Sequence, residues 1–130
     1  MFTSIKTSRE NKALVTELTR KMNLGAENVV ARLALAYSLS KDERLELSGI
    51  QDSQGKEYSR KVLLGEYDEV YIAMLCVHYD LYKTDKDIAR YIKLHIDHGL
   101  TLLNDEFNQK GTGSGLEFLI QKIDGGLNSL

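Results

Sequence analysis

Residues 24–40, LGAENVVARLALAYSLS, constrain this chain more than any other stretch. A glycine stop and a fresh helix start lead into Val29, Val30, Leu33, Leu35, Ala36, Tyr37 and Leu39, and Arg32 is the only charge after Glu27. A helix that is apolar nearly all round is buried on several sides, in a domain centre or between subunits. The rest of the chain is expected to pack around this rod.

At 130 residues the chain is one domain by length, and large enough to bury a real core. It contains no proline, so no ring breaks a helix, and ten glycines do the punctuation. Residues 2–7 alternate weakly, with Ile5 inward and Ser4 and Lys6 outward, as in a short strand or extended arm. Thr7-Ser8-Arg9-Glu10 fits a capping box with Thr7 as N-cap and Glu10 reaching back. A helix then runs to about Met22, with Leu14, Val15, Leu18 and Met22 on one side and Arg9, Lys12, Thr16 and Arg20 on the other, stopping at Asn23-Leu24-Gly25.

Beyond the apolar helix, residues 41–54 read as a charged connector with an extended piece at 45–47, and residues 56–64 as a short helix closed by Gly65. Asp68 caps a helix through Tyr82. One of its faces is Val70, Met74, Val77 and Leu81, while Ile72, Leu75 and Tyr79 cover the rest, which marks a core or interface helix. The longest helix starts at Thr84; it buries Ile88, Ile92, Ile96, Gly99 and Leu103 and exposes Lys86, Arg90, Lys93, Asp97 and Thr101. The expected class is all-α (mainly helical), a compact multi-helix domain over residues 1–104 with a short N-terminal extended arm and a ribbon-helix-helix-like start. Residues 105–130 read as a flexible Gly-rich linker and a tail, in which Leu116, Leu119, Ile120 and Ile123 fit a short amphipathic helix.

A net charge of -2 excludes a polycation, so contact with nucleic acid requires a local basic face. Over residues 1–32, Lys6, Arg9, Lys12, Arg20, Lys21 and Arg32 outnumber Glu10, Glu17 and Glu27, and Lys86, Arg90 and Lys93 recur at helical spacing. Such stripes neutralise phosphates, although a charged stripe is more often a solvated surface. The order arm, helix, glycine turn, helix also resembles half of a ribbon-helix-helix regulator, whose groove readers would be Ser4 and Lys6.

His95 and His98 lie one turn apart with no visible third ligand, which favours a buried or boundary pair over a metal-assisted nicking site. The lone Cys76 excludes an internal disulfide and, inside an apolar helix, reads as an inert thiol in a reducing compartment. Gly55-Lys56 fails as a phosphate loop, because five residues rather than four separate it from Gly49 and Glu57 stands where Ser or Thr belongs. There is no catalytic set and no cofactor motif. Without a signal core or a run near ~20 apolar residues, a soluble cytoplasmic protein is expected.

Three blocks then act together: RKMNLGAENVVARLALAYSLS from Arg20, DSQGKEYSRKVLLGEYDEVYIAML from Asp52, and RYIKLHIDHGLTLL from Arg90. In that order they resemble the DndE family, the small component of the bacterial DNA phosphorothioation (Dnd sulfur-modification) system, over about residues 5–104. The resemblance implies a mainly helical protein that self-associates, as a tetramer, and binds duplex or nicked duplex DNA. It implies work beside a cysteine desulfurase, an iron-sulfur protein and an ATPase that carry the sulfur chemistry. The family offers no catalytic residues to carry over. Lys6, Arg9, Lys12, Arg20, Lys21, Lys86, Arg90 and Lys93 are therefore the expected phosphate contacts, supplying charge and donors without reading bases.

Overall fold

A computed structural model describes residues 2–110, and these form a mainly helical domain with one small sheet. The elements are β1 (Ser4–Lys6), α1 (Arg9–Met22), α2 (Glu27–Ser40), β2 (Glu57–Ser59), α3 (Arg60–Leu64), α4 (Asp68–Tyr79) and α5 (Ile88–Lys110). Short 3-10 turns occupy Leu47–Gly49 and Gly65–Tyr67. No helix among the described residues is long and apolar enough to cross a membrane. The expected tail helix lies outside the described residues.

The α1 start differs from the capping box by one position. Ser8 is the N-cap, and its Oγ accepts from Asn11 N–H at 3.3 Å. Thr7 is drawn off by the segment before β2, its N–H and its Oγ1–H both donating to the Lys56 carbonyl. The helix stops because Asn23 takes a left-handed conformation, φ 54°, and returns its N–H to Thr19 O. Asn tolerates that region better than most residues.

α2 and α5 form the central pair, crossing where residue 99 lacks a side chain. A Cβ on Gly99 would fall onto the Ala34 carbonyl, with the carbonyl carbon at 2.6 Å. Val30, Ala31, Ala34 and Leu35 from α2 meet a stretch of α5 that is buried from Ile92 to Leu100 except at His98. Leu18 and Met22 of α1, Leu63 and Leu64 of α3, and Ile72 and Leu75 of α4 close the core. α5 also continues past residue 104, with Phe107 buried.

Two further expectations are corrected. The extended arm does not stand free for a second chain: β1 pairs antiparallel with β2, Ile5 opposite Tyr58, and both inner side chains are buried. Ser4, an expected groove reader, donates instead to Glu57 Oε1 at 2.7 Å. The exposed stripe on α5 also breaks, because Lys93 is only 6% exposed and Asp97 only 5%. The first turn of α1 covers that side of α5, and Asp97 accepts from Ser8 N–H, Asn11 Nδ2 and Lys93 Nζ, the last at 2.8 Å.

Candidate functional site

α1 sends Arg9, Lys12, Ala13, Thr16, Glu17 and Arg20 along one face, at the spacing that a helix stacks on one side. These residues line a shallow groove of about 520 Å³, and its remaining wall is Lys56, from the turn ahead of β2. Arg9 to Arg20 covers roughly 16 Å of helix axis at about 1.5 Å per residue. Among the described residues Arg9, Lys12 and Arg20 are in no ion pair, and all three are exposed. Lys56 faces Glu27 Oε1 at 3.4 Å, a partly exposed pair that yields readily to a stronger anion.

Acidic groups in and beside the groove are held rather than free. Glu17 pairs with Lys21 Nζ at 2.9 Å, and that hydrogen bond and charge keep its carboxyl below the ordinary value. Asp52 Oδ1 accepts from the N–H groups of Arg9 and Gln54, which lower its carboxyl likewise. It therefore occupies the positive end of α1, tying the turn over residues 52–54 to the helix start.

The other expected contacts scatter. Lys6 is exposed on β1, opposite Glu57. Lys21 is tied to Glu17 and to Asn108 Oδ1. Lys86 lies on a separate cavity of about 920 Å³ between α4 and the start of α5, which also presents Arg60, Lys83, Glu69, Asp85 and the half-buried Cys76. Arg90 leans on Asp87 at 3.4 Å. Lys93 leaves the exposed set altogether. The structure thus brings Arg9, Lys12 and Arg20 together and adds Lys56, which only tertiary folding places there.

The histidine pair serves the interior. His95 Nδ1 and His98 Nδ1 both reach Ser38 Oγ, at 2.8 and 2.9 Å, so their ring nitrogens converge on a hydroxyl. Leu45 N–H donates to Tyr79 Oη, which reaches His95 Nε2 at 2.6 Å. One assignment satisfies every group: Tyr79 donates to Nε2, His95 Nδ1–H donates to Ser38, and Ser38 donates to His98. Burial, then the charges of His78 and His98, pushes His95 down to about 4, which keeps it neutral in this chain of bonds. Among the described residues no three His, Cys, Asp or Glu side chains converge as metal ligands.

Fold and groove together define a small, mainly helical protein that carries an ordered row of positive charge on its first helix. The family model described as DNA sulphur modification protein DndE matches residues 4–111, and the chain belongs to the DndE family, a component of the DNA phosphorothioation system. Two solved structures share the fold. The crystal structure of DndE from Escherichia coli B7A, involved in DNA phosphorothioation modification, aligns with TM-score 0.65 at 19% identity, covering 79% of this chain and 98% of that one. The DndE G21/24K mutant structure aligns with TM-score 0.67 at 21% identity, with the same coverages. No curated protein matches the chain.

Proposed function

We propose that this protein is a non-enzymatic scaffold that grips the sugar-phosphate backbone of duplex or nicked duplex DNA for the phosphorothioation machinery. The observation that carries this reading is the groove of Arg9, Lys12, Arg20 and Lys56, in which three of the four cations are in no ion pair among the described residues. At about 3.4 Å of duplex axis per phosphate in each strand, a ~16 Å row matches roughly five phosphates. Contacts of this kind position a protein without reading bases, so little sequence preference is expected. The sulfur chemistry belongs to the partner proteins of the system, the cysteine desulfurase, the iron-sulfur protein and the ATPase.

Titration of a labelled nicked duplex by anisotropy at 50–200 mM salt tests the reading. Four phosphate contacts give a log–log slope of about -3.6 per bound protomer, and Arg9→Gln/Lys12→Gln/Arg20→Gln brings it to about -0.9. Lys83→Gln, in the other cavity, leaves the slope unchanged. A flat salt profile for the unaltered protein refutes the assignment.

Self-association, as a tetramer, is the second part of the reading. Val70, Met74 and Val77 of α4 are 54%, 44% and 80% exposed, and Val62 and Tyr67 nearby are also open. Apolar side chains clustered on one helix in this way suit a contact between copies. Val77→Glu, which disturbs no buried contact, should lower the molar mass measured by light scattering while leaving the helical circular dichroism intact. An unchanged mass would remove α4 from the interface.

A further inference from the structure

The Gly55-Lys56 pair has a use that the failed phosphate-loop comparison does not reveal. The chain passes directly over the N-cap of α1 at this point. Gly55 N–H donates to Thr7 O at 2.9 Å, and the Lys56 carbonyl accepts from Thr7 N–H at 2.8 Å and from Thr7 Oγ1 at 3.0 Å. The approach is backbone on backbone. A Cβ on residue 55 would collide with the Ser8 carbonyl oxygen, with the carbonyl carbon at 2.7 Å and Thr7 O at 2.9 Å. Only glycine permits so close a crossing. Upstream, Asp52 Oδ1 binds the N–H groups of both Arg9 and Gln54, so the strap is stitched to the helix start on each side of Gly55. Downstream it enters β2, whose register against β1 places Glu57 opposite Lys6.

We infer that residues 52–57 form a fixed strap in which Gly55 is a positioning residue, seating Lys56 in the groove as its fourth phosphate contact. This rests on the DNA-backbone reading above. Lys56 is carried on a separate segment from Arg9, Lys12 and Arg20, and a lysine on a loose turn would lose more freedom on binding a phosphate. The strap removes that loss in advance. Glu27, 3.4 Å from Lys56, keeps the ammonium over the groove until a phosphate replaces it.

Salt titrations on nicked duplex, combined as a double-mutant cycle, test the strap. Lys56→Gln should make the log–log slope shallower by about 0.9. Gly55→Ala should do the same although it removes no charge, and Gly55→Ala/Lys56→Gln should match either single variant. Gly49→Ala, whose Cβ meets nothing within 4 Å, should leave the slope unchanged. A purely structural role for Gly55 would lower the unfolding midpoint without altering the slope, and that result overturns the inference. So does a Gly55→Ala loss that adds to that of Lys56→Gln.

Should Gly55→Ala fail to fold, amine labelling of the unaltered protein decides instead, with and without nicked duplex. Protection of Lys56 together with Lys12 supports the strap. Protection of Lys12 with Lys56 fully reactive overturns it and leaves the DNA reading standing. A flat salt profile with neither lysine protected removes both.

Discussion

Gly99→Ala is the sharpest test of the helix crossing at the centre of the fold. The new Cβ would sit 2.6 Å from the Ala34 carbonyl carbon and 3.0 Å from its Cα, where ordinary contact begins near 3.4 Å. The Ala34 carbonyl oxygen lies closer still, so the two backbones must part by at least about 0.8 Å, a gap that forfeits a quarter to a half of the dispersion between facing atoms. The facing side chains include Val30, Leu35, Ile92, Ile96 and Leu103, all 1% exposed or less. Overpacking of this kind costs about 1–3 kcal/mol, and more where backbone must move. Alanine returns roughly 1 kcal/mol of helix propensity. Because backbone must move here, the cost lies at or above the upper end of that range, so a net loss of at least about 2 kcal/mol follows, or roughly 8 °C in Tm at about 4 °C per kcal/mol for a chain of this size.

Urea and thermal unfolding followed at 222 nm measure that loss, with Gly49→Ala as the control. Because the collision is with main chain, Ala34→Gly should not rescue Gly99→Ala. Equal or greater stability in Gly99→Ala, or rescue by Ala34→Gly, would refute the crossing geometry.

Protonation of His95 gives a second prediction. Its pKa is depressed in the fold, from about 6.5 to about 4, so between those values the unfolded chain binds the extra proton and stability falls as pH drops. The loss is up to about 3 kcal/mol by pH 4, is absent above about pH 7, and should shrink in His95→Gln when urea midpoints are compared across that window. A third concerns Asp97. Asp97→Ala strands the Lys93 ammonium, 6% exposed, and should destabilise by about 3–5 kcal/mol, whereas Asp97→Ala/Lys93→Met should recover much of it. Equal unfolding midpoints for the single and double variants would show that the pair is not coupled.

Much of this architecture is legible in the chain itself, and the gaps share a cause. The span of α1 follows from periodicity and the Asn23–Gly25 stop, that of α2 from its nearly unbroken apolar run after the same stop, and the cationic face of α1 from the spacing of Arg9, Lys12 and Arg20. β2 is three residues long and carries no periodic signal, since only Tyr58 points inward. Thr7 and Ser8 are both cap formers, Ser the better by type, and the distant Lys56 carbonyl settles the choice on Ser8 by claiming Thr7. α4 has apolar residues on two sides; packing against α3 and α5 selects Ile72 and Leu75 for the core and leaves Val70, Met74 and Val77 outside. Lys93 and Asp97 look like a solvated i,i+4 pair, and only the start of α1 lying across them makes them interior. Lys56 enters the groove by the same kind of long-range contact, which no local pattern announces.

The pairing of the two short strands has a consequence for the order of events during synthesis. Ser4 meets Glu57 53 positions later, and Ser8 meets Asp97 after a further delay. Contacts so distant along the chain close large loops and form late. A nascent chain halted near residue 50 would already carry Arg9, Lys12 and Arg20, yet neither wall nor floor to hold them in line. The emerging peptide thus exposes a helix of loose cations first, and acquires a surface with defined spacing only once its second half has left the ribosome.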